Sequence, residues 1–279
     1  MASSTRAAAV AGSWYPDEAR ALAAEVERHL SSAHPGSAVQ VSPPLAALVS
    51  PHAGLRYSGP VAAWSYGLLR AAPPTTVVLV GPSHRMAFAG ASVWPRGAWQ
   101  TPLGPLAVDE ALAARLLAQP GVSDDPRPHR DEHSLEMQLP FLKHVAPQAA
   151  IVPVLMGDQS REAVEALAAA LVAALGGGAA LLVASSDLSH YLPAAQANAK
   201  DAEVVADVRA FDAEGLMARL ERDHTHACGG GPMVAVMKAA RARGADAASV
   251  LRYADSGDVA EGDKSRVVGY LAAALWGRT

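Results

Sequence analysis

The chain has 279 residues, 51% of them apolar, and its 23 Lys and Arg against 27 Asp and Glu leave a net charge of −4. That length and apolar content suffice for one large α/β core, while the lack of any long run of one charge sign gives no footing to nucleic acid or a membrane surface as partner. The single cysteine, Cys228, excludes an intramolecular disulfide and fits a reducing compartment.

In chain order, the apolar stretch within residues 1–12 is too short for a signal-peptide core and leads into Trp14-Tyr15-Pro16-Asp17. Nowhere do enough apolar residues follow one another to make a transmembrane helix, and a cytoplasmic protein is expected. An Ala-rich helix is predicted over 17–31, a strand over 45–50, a helix over 59–70 and a strand over 76–80. A pair of irregular strands is expected within 87–106, then helices over 109–118 and 132–145, with Pro140 kinking the latter or opening a second helix. There follow a strand over 150–156, a helix over 161–175, a strand over 180–184 and helices over 198–210, 213–222 and 232–243. Strands over 249–253 and 267–271 close the series. Short apolar runs alternating with helical stretches predict an α/β fold, a mostly parallel central sheet flanked by helices on both faces. Breakers such as Pro73-Pro74 and Gly176-Gly177-Gly178 fall between elements, and one domain over 1–279 is expected.

Three segments share one plan, an apolar run, then small or turn-forming residues, then a histidine. They end at His52, His84 and His190. A loop histidine is most often a surface residue or a cap. Three at the carboxyl ends of parallel strands, where such sheets bind ligands, converge on one rim, and imidazole is both the commonest metal ligand and a natural acid/base. Cys228 precedes Gly229-Gly230-Gly231-Pro232, where a helix opening at Pro232 would stabilise a thiolate; a buried, inert thiol in a glycine-rich turn is the plainer reading. His224 and His226 are weaker candidates to join it. Asp131 is a plausible N-cap for the helix at Glu132. His129-Arg130-Asp131-Glu132-His133 matches the inverted zinc-protease pattern in form, but Pro126 and Pro128 argue against His129 being helical. His29, His34 and His144 are read as residues of polar helical faces with no role.

Ala11-Gly12-Ser13-Trp14-Tyr15-Pro16, Pro51-His52-Ala53-Gly54, Gly81-Pro82-Ser83-His84, Asp131-Glu132-His133-Ser134-Leu135-Glu136, Ser185-Ser186-Asp187-Leu188-Ser189-His190-Tyr191 and Cys228-Gly229 together resemble the Memo family in order and spacing. In bacterial genomes this family is usually labelled AmmeMemoRadiSam system protein B. The resemblance runs from about residue 10 to the C-terminus. It implies the fold of the class III extradiol dioxygenases, in which two histidines and a glutamate hold Fe(II) and a further histidine handles substrate protons. By position, His52 and His84 would be the histidine ligands and His190 the acid/base. Asp187 would orient or tune His190, and His133 would line the pocket. Cys228 stands where the dioxygenases have glutamate, and a His/His/Cys set suits iron, copper or zinc by ligand type. The expectation is a metal-dependent, dioxygenase-like oxidoreductase, iron preferred with copper or zinc as alternatives, acting on a small molecule, aromatic compounds among the candidates. A binding or adaptor protein that uses the same pocket for a peptide or small ligand is the first rival, and a zinc-dependent hydrolase the second. The family label also implies a pathway link to AMMECR-type and radical-SAM proteins.

Overall fold

Continuous apolar runs form strands buried on both faces. In the computed structural model, which describes residues 5–33, 44–259 and 262–277, such runs build the centre of one large sheet. The strands are β1 (Thr5–Arg6), β2 (Leu45–Ser50), β3 (Thr76–Pro82), β4 (Ala91–Val93), β5 (Ala98–Trp99), β6 (Leu106–Ala107), β7 (Val122–Ser123), β8 (Ala150–Met156), β9 (Leu181–Ser185), β10 (Asp187–Leu192), β11 (Ala247–Asp255) and β12 (Val267–Trp276). The helices are α1 (Ala19–Ser32), α2 (Leu55–Gly67), α3 (Glu110–Leu117), α4 (Leu139–Val145), α5 (Arg161–Leu175), α6 (Ala194–Arg209), α7 (Ala213–Arg222), α8 (Gly230–Ala242) and α9 (Ser256–Val259).

Strands β2, β9, β3 and β8 lie side by side and run parallel. Beyond them the pairing turns antiparallel, β12 against β2 on one side and β4 against β8 on the other. The expected parallel sheet is therefore the centre of a larger mixed one. β12 has β11 along one edge, and its other edge is divided: Val267–Tyr270 pairs with β10, Ala273–Trp276 with β2. The sheet is flanked by two groups of helices, α2 with α1 and α4, and α5 with α6, α7 and α8. α5 follows the pattern of its sequence closely. Ser160 caps it by accepting the Ala163 N–H, alanines fill it, and Gly176 ends it at a positive φ of 50°.

Three departures from expectation matter to the site. β10 covers residues whose turn-forming composition predicts no strand, yet it forms one residue after β9 because β12 offers it an unpaired edge. α2 starts at Leu55 rather than at residue 59, its first N–H donating to the Trp14 carbonyl at 2.8 Å, and it carries Pro60 in its interior. The helix predicted from residue 132 begins only at Leu139, after a single 3-10 turn, with Pro140 in its first turn as the second of its two expected outcomes. Residues 132–138 are instead held by long-range side-chain bonds. The Glu136 carboxylate accepts from Arg6, from the N–H groups of Ala9 and Val10 and from the Tyr15 hydroxyl, and Gln138 bonds Pro51, Ser185 and Tyr66. These buried bonds outweigh helix propensity, which is a few tenths of a kcal/mol per residue.

His129 lies outside any helix, fully buried between Trp94 and Trp99, so the protease pattern does not assemble. His29 is buried against Gly59, where a Cβ would come within 2.8 Å of its ring, rather than on a polar face. His144 pairs with Glu27, and His34 lies outside the described residues.

Candidate metal centre

His52 and His84 each stand two residues beyond the carboxyl end of a central strand, β2 and β3. Each ring is oriented by a partner on its Nδ1. His52 Nδ1 lies 2.9 Å from Ser185 Oγ. That hydroxyl gives its own proton to the Ser134 carbonyl at 2.6 Å and accepts from Gln138 Nε2 at 2.8 Å, so toward His52 it acts as acceptor. His52 is thereby set with Nδ1 protonated and the Nε2 lone pair facing Cys228 Sγ, 3.2 Å away. His84 Nδ1 donates to Glu132 Oε1 at 2.9 Å, which leaves its Nε2 free as well. Histidines that bind metals almost always donate the second ring N–H to such a partner.

The ligand atoms of His52, His84 and Cys228 lie within 4.8 Å of one another. Ligands held at about 2.0–2.3 Å from a four-coordinate ion sit about 3.3–3.8 Å apart. The His52–Cys228 separation of 3.2 Å is near that range, and a side-chain adjustment of at most about 1.5 Å brings in His84. The donor set fits a soft or borderline transition metal. A second cluster, His84, Glu132 and His133, meets the same distance criterion. The Glu132 oxygens, however, already accept from His84 N, His84 Nδ1, His133 N and Ser134 N, which makes Glu132 the support of His84 rather than a ligand.

Electrostatics follow burial. Removal from water, with His84 and His133 nearby, holds the His52 pKa well below its ordinary value, and burial brings that of His133 down to about 4. Burial would raise Glu132, but the bond from His84 and the charges of His84 and His133 outweigh it and hold the carboxyl at about 2. The Cys228 thiol is pushed up, chiefly by burial and further by the Asp187 carboxylate. The thiolate expected from a helix N-terminus is therefore not stabilised by the protein alone; α8 begins at Gly230, and its favourable end does not offset desolvation. A bound cation would supply what is missing.

The remaining expected residues divide. His190 lies within β10, part-buried, with Nδ1 donating to the Leu188 carbonyl at 2.8 Å. His133 stacks on His84, at a ring distance of 4.6 Å, and also meets the tilted ring of Trp14 at 4.3 Å. Asp187 does not orient His190 as expected. Its carboxylate accepts the backbone N–H of His52 at 2.7 Å and that of Ala53, and so fixes the turn that presents His52. Burial raises its pKa to about 7 against those two bonds. His226 is tied to the Asp223 carbonyl and faces Glu203, and neither it nor His224 joins a cluster with Cys228 among the described residues.

A pocket of about 860 Å³ opens on the three histidines and His190, walled by Trp14 and Tyr270 with Tyr57 and Tyr191. A smaller cavity of about 410 Å³, lined by Lys200, His224 and Thr225, reaches Cys228 and the other side of His190. Sequence reasoning missed Glu132, Ser185 and Gln138, the groups that set the tautomers. All three sit inside recognised segments, but only their partners across the fold reveal the role. Glu132→Gln is expected to weaken metal binding by about 10–100-fold with the fold retained; unchanged affinity in a metal titration would remove Glu132 from the site. Gly229 passes so close to β9 that a Cβ would lie 2.3 Å from the Ser185 carbonyl oxygen. Gly229→Ala should cost about 1–3 kcal/mol in thermal melts and displace Cys228.

Comparison with known proteins gives a consistent picture. The family model described as Memo-like protein matches residues 6–274. A MEMO1 family protein of Methanopyrus kandleri is 38% identical over 278 residues, covering 96% of this chain and 97% of its own. One of Methanosarcina mazei is 41% identical over 271 residues, with 96% and 97% covered, and one of Thermotoga maritima 38% identical over 234, with 82% of each covered. Among solved structures, an uncharacterised protein of Escherichia coli K12 shares the fold at a TM-score of 0.53 and 16% identity, covering 84% of this chain and all of its own.

Proposed function

This chain belongs to the Memo family, and from that premise we propose that it is a mononuclear metal-dependent oxidoreductase in which His52, His84 and Cys228 hold iron, or copper in its place. The observation that carries the reading is the preset orientation of both imidazoles, each with Nδ1–H committed to a partner and Nε2 left for an ion beside Cys228. A redox-active ion bound there would supply electron transfer with substrate and O₂. The chain's own groups do the rest. Burial lowers the His190 pKa, so the ring is neutral near pH 7. With Nδ1–H anchored on Leu188, its Nε2 is the atom that takes a proton from bound substrate and returns it. His133, packed on Trp14, lines the same pocket and positions the substrate, while Trp14 and Tyr270 offer flat walls to a planar molecule. Among the described residues no helix is long and apolar enough to cross a membrane. The free thiol suits a reducing, cytoplasmic setting.

The test is anaerobic purification without a histidine tag, elemental analysis, and O₂ uptake by the Fe(II)-loaded protein over a panel of catechols. Near-stoichiometric iron or copper with O₂ consumption supports the reading. Failure to take up either metal on reconstitution sinks it. A binding role without chemistry is the second reading, favoured by Tyr57 and Tyr191, which stand 43% and 63% exposed at the pocket mouth. Saturable ligand binding by metal-free protein, without turnover once loaded, would select it.

A further inference from the structure

The charges around the large pocket are one-sided. Arg56 in the first turn of α2, Arg85 directly after His84 and Arg266 directly before β12 come from three separate parts of the chain and all line it. All three are exposed, and among the described residues none has a carboxylate within ion-pair distance. Some arginines elsewhere are paired, as Arg70 is with Glu27 and Arg161 with Glu214 and Glu221; what sets these three apart is that they share one opening. Among the described residues the one carboxylate lining the pocket is Asp187, 3% exposed and occupied by the N–H groups of His52 and Ala53. Three unopposed guanidinium groups thus gather at one opening on a chain whose net charge is −4. Two of them are held over aromatic faces without being neutralised, Arg56 at 5.9 Å from the Tyr57 ring and Arg266 at 5.3 Å from Tyr191.

We propose that the pocket takes a planar organic anion, its carboxylate or phosphate held at the rim by Arg56, Arg85 and Arg266 and its ring lying between the aromatic walls toward the histidines. The inference rests on reading the pocket as a ligand site and names the class of that ligand. Guanidinium forks match both oxyanions in pairs of parallel hydrogen bonds. Gathered charge of one sign at a cleft also raises the local concentration of its counter-ion and speeds capture. The anchor is separate from the metal ligands, so it orients the molecule without occupying the ion.

The experiment titrates benzoate, phenyl phosphate and neutral benzamide into metal-free protein, following Trp14 and the other tryptophans by fluorescence. It is repeated with Arg56→Gln, Arg85→Gln and Arg266→Gln and at raised salt, and metal content is measured on each variant. At least one anion is expected to bind about tenfold or more tighter than benzamide. That preference should shrink several-fold in the variants and with salt, at unchanged metal content; which anion wins tells carboxylate from phosphate. Benzamide binding as tightly as both anions, or a preference that survives all three substitutions, overturns the proposal. A protein that binds no metal but keeps an arginine-dependent anion preference would sink the oxidoreductase reading and leave this one standing.

Discussion

Cys228→Ser protein is expected to lose its metal, with affinity falling by more than the ~10–100-fold that follows removal of a supporting partner. Serine keeps the size of the side chain, so the loop against Ser185 and Ser186 stays in place and the loss reports the donor atom. The native protein should also show a proton signature. Near pH 7 burial already keeps His52 neutral, so this imidazole gives up no proton. The thiol, pushed up by burial and by Asp187, remains protonated and must release its proton to ligate. The thiol's proton should therefore leave on binding, and affinity should rise roughly tenfold per pH unit between about pH 7 and pH 9. The sign is fixed by the direction of the cysteine shift: higher pH favours the ligating thiolate. In Cys228→Ser the thiol's proton and that slope should vanish. Calorimetry in two buffers of different ionisation enthalpy measures the count; equal affinity in wild type and variant would remove cysteine from the ligand set.

Glu136→Gln should produce the largest loss of stability. Glu136 is fully buried and faces Arg6, which is 3% exposed, at 2.6 Å. Arg6 further donates to the carbonyls of His129 and Glu132, each at 2.6 Å. Breaking one partner of such a pair leaves a buried charge without its counter-charge, at a cost of about 3–5 kcal/mol. For a chain of this size that corresponds to a fall in Tm on the order of 10 °C. A melt within about 2 °C of wild type for Glu136→Gln would show that the pair is structurally dispensable. Because Arg6 holds the carbonyl of Glu132, the variant should also loosen the support of His84.

The strands most legible in the sequence were those buried on both faces. Residues 45–50, 150–156 and the others near them are unbroken apolar runs, and helices such as α5 carry their own caps. β10 was hidden because Asp187-Leu188-Ser189-His190 gives no apolar signal, and its partner lies some eighty residues away in β12. The misreading of residues 132–138 has a related cause. Helix propensity is local, whereas what fixes Glu132, Glu136 and Gln138 is a set of bonds to residues 6–15, 51, 66, 84 and 185. The histidines were visible as strand-end residues. The role of Asp187 was not, since carboxylate next to histidine in sequence suggested His190 as its partner, while the crossing of the chain past the end of β2 gives it the backbone of His52.

The divided edge of β12 sets an order of events during synthesis. His52 is made early, but Asp187, which fixes its turn, belongs to a strand that runs beside β12, and β12 is the last element among the described residues. Until residues 267–276 have left the ribosome, β2 and β10 lack the strand that spans them both. Gathering of His52, His84 and Cys228 is thus coupled to synthesis of β12, and a nascent chain stalled before it leaves these side chains not yet brought together.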